Sequence, residues 1–150
     1  MNKKSVLLMA AMAVSTSASA AAFGYKDMIG KWRVTGVQLA NDGAIQALVE
    51  NDPLYMGAEL QFSADGIVWL KGGGDSPGEH LQDNCYSRPH LTPADDNDPD
   101  AGYRVAGGFN VICGDTVWGP GSGAVIKPGN TQTVQLYWYD NGVLTLTKTS

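Results

Sequence analysis

The chain has 150 residues, with ten Lys or Arg against fifteen Asp or Glu and a formal net charge of −5. That length fits one domain with a single core. The acidic balance repels phosphate backbones, so nucleic acid is excluded as a partner.

In chain order, Lys3 and Lys4 precede an apolar run from Val6 to Val14, and Ala18-Ser19-Ala20 follows. A short positive region, an apolar stretch and a small-x-small site make a bacterial signal peptide over residues 1–20. The run is too short to be a permanent span, and no cysteine lies close enough behind it to be lipidated. The expected product is the domain 21–150, periplasmic or secreted, with no stable membrane anchor. Without Lys3 and Lys4, eight basic residues face fifteen acidic ones, a net charge of −7.

The mature sequence reads as short strands between turns. In "GKWRVTG" (30–36), Trp32, Val34 and Gly36 alternate with Thr35 and Val37. "DGAIQALVE" (42–50) places Ile45, Leu48 and Val49 on one side behind Asp42, which predicts a helix of about two turns. "AELQFS" (58–63) and "IVWLK" (67–71) form a hairpin about "ADG" (64–66). The glycine-rich "KGGGDSPGEH" (71–80) predicts a mobile loop that packs no core, and the acidic "TPADDNDPDAG" (92–102) an exposed one. Strands are expected at "YRVA" (103–106), "FNVIC" (109–113) and "AVIK" (124–127), the last leading into a Pro-Gly turn at 128–130. "GPGSGA" (119–124) has neither a following helix nor a P-loop lysine, so it is a hairpin loop rather than a phosphate cradle. "TVQLYWYD" (133–140) and "VLTLTKT" (143–149) close the chain about Asn141-Gly142, the strongest hairpin signal in it.

Cys85 and Cys113 are the only cysteines. One disulfide is the simplest use of such a pair in an exported protein. The alternative is a metal site of Cys85 and Cys113 with His80 and His90, although no C-x-x-C clip is present. Asp96, Asp98 and Asp100 follow the first half of a calcium-loop pattern, but Ala101 and Gly107 replace its turn glycine and terminal glutamate. A weak surface calcium site stays open there. Neither a G-x-S-x-G elbow nor an H-E-x-x-H helix occurs, and the expected protein is not an enzyme and carries no cofactor.

Gly30-Lys31-Trp32 is a G-x-W triplet opening the first strand behind a turn-like lead, "YKDMI" (25–29), and Lys148 lies in the last strand. Together with the strand spacing, this resembles lipocalin-like (calycin) barrels. The resemblance implies an all-β fold, an antiparallel barrel of about eight strands with one short helix. It also implies that Trp32 closes one end of the barrel and that Lys148 packs across its indole as a cation–π pair. A narrower resemblance, to small exported bacterial metalloprotease inhibitors, implies that Ala21 to Ile29 form an extended arm outside the barrel. In the broader family the lead instead plugs one end, through Phe23 or Tyr25.

In the final hairpin Val134, Leu136 and Trp138 share a face with Leu144 and Leu146, while Gln135, Tyr137 and Tyr139 share the other. The two tyrosines either stand outside as contact area or lie beneath a loop. Trp32, Phe62, Trp69 and Trp138 are expected inside, crowding the lumen. The candidate binding residues are Trp32, Trp69, Tyr137, Trp138 and Tyr139. The function that follows is non-catalytic binding of a small apolar or amphipathic ligand at the barrel mouth. The alternative partner is an exported protein, the chain then acting as an inhibitor or immunity protein on a protease or cell-wall hydrolase.

Overall fold

The computed structural model describes residues 22–40, 48–81, 83–94, 105–139 and 142–150. The expected signal peptide, the calcium-pattern aspartates and most of the helix expected at 42–50 lie outside them. A four-residue helix α1 (Tyr25–Met28) leads into nine antiparallel strands: β1 (Gly30–Leu39), β2 (Glu59–Phe62), β3 (Ile67–Lys71), β4 (Pro89–Pro93), β5 (Phe109–Cys113), β6 (Thr116–Val117), β7 (Val125–Pro128), β8 (Thr133–Tyr137) and β9 (Gly142–Lys148). They make one curled sheet in the order β3-β2-β1-β9-β8-β7-β5-β4, with β6 attached to β5. The described tail of the expected helix, residues 48–50, is not helical, and the α-helix among the described residues, α1, precedes β1.

β1 is the longest strand and pairs with both β2 and β9. Its register against β9 shifts between Val34 and Gly36. A bulge of this kind inserts a residue and reverses the inward–outward alternation beyond it. Val37 therefore joins Trp32 and Val34 in the core, and the simple alternation expected through Gly36 fails at that point.

The free edge of β3 is covered by its own downstream chain. Ile67 exchanges both backbone hydrogen bonds with Cys85, at 2.9 and 2.8 Å. The Trp69 amide donates to Asn84 Oδ1 at 2.8 Å, and Lys71 bridges Pro77. An edge covered in this way offers no template to another strand. Cys85 is bonded to Cys113 at the end of β5, so a covalent link draws together the two sides of the curl. That bond uses both thiols, and the Cys2His2 metal site is overturned.

Residues 71–80 also differ from the expectation of a loop that packs nothing. Gly72, Gly73 and Gly78 are buried, and the Gly73 amide donates to the Leu54 carbonyl at 2.8 Å. A β-carbon at Gly73 would strike the Pro53 carbonyl, and one at Gly78 the Trp69 carbonyl. These glycines serve close backbone approach. β4 was not expected at all, because prolines at both ends read as turns; an edge strand tolerates them. Of the strand expected at 103–106, Tyr103 and Arg104 lie outside the described residues, while Ala106 sits in a turn that the Gly108 amide closes on the Val105 carbonyl.

The interior is filled by aromatic rings in mutual contact. Trp138 lies 4.9 Å from Trp118 and 5.7 Å from Trp69 between centroids. Trp118 meets Phe62, Phe62 meets Tyr25, and Trp69 meets Tyr55. Tilted and edge-on pairs at such separations are the favoured geometries. Trp118 was missed by sequence reasoning, since "VWGPGSG" reads as loop. Its indole is nonetheless buried and donates to the Asp83 carbonyl at 2.9 Å.

Candidate functional site

The G-x-W end of the barrel is built by four segments. α1 is capped by Asp27, whose Oδ2 accepts from the Gly24 amide at 2.8 Å. Met28 is buried, and its carbonyl accepts the Trp32 indole N–H at 2.7 Å. Tyr25 Oη donates to the Ser63 carbonyl at 2.8 Å across the β2–β3 turn, and burial pushes its hydroxyl pKa up. Phe23 packs on the core and lies 5.6 Å from the ring of Phe109. From Ala22 onward the lead is thus a plug on the barrel end, and the extended arm expected over Ala21 to Ile29 does not form.

Gly30 has φ +134°, and a β-carbon there would run into the Ser150 carbonyl. Only glycine fits that backbone without strain. Trp32 then enters the core opposite Lys148 of β9, whose Nζ stands 5.4 Å from the indole centroid. The cation–π pair expected from the resemblance is present. Lys148 Nζ also donates to the Asp27 carbonyl at 3.4 Å, which joins the last strand to the lead.

Beside this pair lies an open cleft of about 710 Å³, lined by Phe23, Lys26, Asp27, Trp32, Val134, Lys148 and the β7–β8 turn from Pro128 to Thr131. Phe23, Trp32, Pro128 and Val134 are its apolar lining, and Lys26, Lys148, Asn130 and Thr131 carry donors against the one carboxylate of Asp27. Asn130 Oδ1 already accepts from the Gln132 and Thr133 amides and from Thr133 Oγ1, at 2.9, 3.0 and 3.1 Å. Its amide N–H groups remain as donors. The Asp27 carboxylate is engaged as the helix cap, while Lys26 is exposed and forms no ion pair among the described residues.

The residues expected to bind are not gathered in one place. Trp32 lines the cleft, although it is almost wholly buried. Trp69 and Trp138 are 3% and 1% exposed, in the core and outside the cleft lining, and Trp138 Nε1 donates to Tyr55 Oη at 3.1 Å. The Trp69 indole N–H has no hydrogen-bond partner among the described residues, and its ring stands edge-on to Trp138. Tyr137 is half-buried against Ala94, Val105 and Val125 on the outer side of the sheet. Tyr139 is 47% exposed. Lys26, Asn130 and Thr131 carried no sequence signal, because the cleft joins segments more than a hundred residues apart. Among the described residues, no three His, Cys, Asp or Glu side chains converge on a possible metal position, and no helix is long and apolar enough to cross a membrane.

These features define a class: a disulfide-linked, curled antiparallel sheet with a filled aromatic interior and a donor-lined cleft at its plugged end. No family model matches the chain, and no curated protein or solved structure shows significant similarity to it.

Proposed function

We propose that this chain is an exported, non-catalytic binding protein of lipocalin-like architecture that holds a small amphipathic ligand. The supporting observation is the 710 Å³ cleft, which combines Phe23 and Trp32 with lysine and amide donors. Apolar walls with a few placed polar groups are the usual composition of small-molecule sites. The filled interior argues against a lumenal carrier. It moves the expected site from an open barrel mouth to the cleft outside the plug.

A second reading, an inhibitor or immunity protein acting on an exported protein, draws on different residues. Tyr86 is 78% exposed directly after Cys85, and Val117 is exposed on β6. Rigid aromatic side chains in the open are characteristic of protein contacts. The inhibitor version that inserts an N-terminal arm loses its support, because Phe23 and Tyr25 are spent on the plug.

Native mass spectrometry of the protein isolated from an exported fraction separates the two. The ligand reading expects a small-molecule adduct that disappears on denaturation. A stoichiometric protein partner recovered by pull-down, with no adduct, would replace it by the second reading.

A further inference from the structure

We infer that the cleft selects an anion: the ligand carries a carboxylate, sulfonate or phosphate group between Lys26 and Lys148, with its apolar body along Phe23. The inference rests on the cleft being the binding site and adds the chemical class of its occupant. The donor–acceptor balance of the lining carries it. Lys26 and Lys148 contribute two ammonium groups, and Asn130 has only its N–H donors free, since its oxygen is triply engaged. Thr131 adds a hydroxyl. The one carboxylate in the lining, Asp27, faces its capping bond to Gly24.

With two ammonium groups against one carboxylate, the charged side chains of the lining sum to a positive charge, which disfavours a cation. The lining is suited to a group with several acceptor oxygens, because charge-assisted bonds to an oxyanion are the strong ones. Two lysines lining one cleft also stand against the charge of the whole chain, which is −5. The approach of an anion is therefore favoured at this end by local charge rather than by net charge. Half-buried Phe23 supplies the apolar surface for the ligand's second half, with the buried Val134 and Trp32 behind it.

Two dyes that share an anilinonaphthalene body test this: 1-anilinonaphthalene-8-sulfonate and the neutral N-phenyl-1-naphthylamine. Their fluorescence is titrated against the full protein and its variants. Lys26→Gln, at an exposed position with no ion pair among the described residues, is expected to weaken the sulfonate dye about threefold relative to the neutral dye. Raising salt should weaken only the sulfonate dye. Lys148→Gln should act in the same sense and Lys148→Arg should restore binding, with thermal melts showing that both variants are folded. If both dyes bind and neither lysine variant nor salt distinguishes them, the anion inference is overturned and the cleft reading survives. Thr131→Trp places an indole in the cleft and should exclude both dyes. If it excludes neither, or if neither dye binds the wild type, the cleft reading falls and takes the inference with it.

Discussion

Serine at both Cys85 and Cys113 is expected to lower the unfolding free energy by about 3–4 kcal/mol. The bond closes a loop with a sequence separation of 28, and the chain-entropy cost of leaving such a loop open sets the figure. Its position adds a local consequence. Cys85 is fully buried and hydrogen-bonded to Ile67 on β3, while Cys113 sits on β5 opposite Pro89 of β4. The disulfide therefore holds the seam of the curl, where β3 has no further strand beside it. The melting temperature should fall by roughly 10 °C or more. Amide exchange at Ile67 and Trp69 should accelerate before exchange in the β1–β9 pair. A double variant that melts within a degree or two of the native protein would show that the seam is held by packing alone.

Trp138→Ala should cost about 3–5 kcal/mol, the range for deleting a buried aromatic ring. Trp138 touches both Trp69 and Trp118, and its removal empties the centre of the aromatic chain. It also strips Tyr55 Oη of the donor that partly offsets that hydroxyl's burial. Trp138→Phe keeps most of the ring and loses the hydrogen bond, so about 1–2 kcal/mol is expected. Urea unfolding measures both. Neither variant should change dye affinity in the folded protein, because Trp138 does not line the cleft. A folded Trp138→Ala protein of native stability that no longer binds would make this residue part of a ligand site.

The fold was legible where alternation and turn chemistry agreed. Asp65-Gly66 separates β2 from β3 and Pro128-Gly129 ends β7, so both turns fall where expected, although neither glycine takes the positive φ that the expected turn types require. The inward set Val134, Leu136, Leu144 and Leu146 is buried as its period-two pattern requires. β4 was hidden because its prolines and its single large apolar residue, Leu91, give no strand signature. The bulge near Gly36 was hidden because register is a relation between strands, invisible in one of them. The seam was half legible: the pairing of Cys85 with Cys113 could be read, but its role in closing the curl depends on Cys85 sitting against Ile67. Likewise the G-x-W triplet and the terminal lysine marked Trp32 and Lys148, yet the cleft beside them needed the β7–β8 turn brought alongside.

The binding claim is tested most directly by mapping backbone amide shifts while the neutral dye N-phenyl-1-naphthylamine is titrated into the isotope-labelled protein. Saturable shifts confined to residues 23–32, 129–134 and 146–149 are expected, with the amides around Tyr55, Trp69 and Trp138 unmoved. Shifts centred on those three residues would place the ligand in the interior, and contradict both the filled core and the cleft.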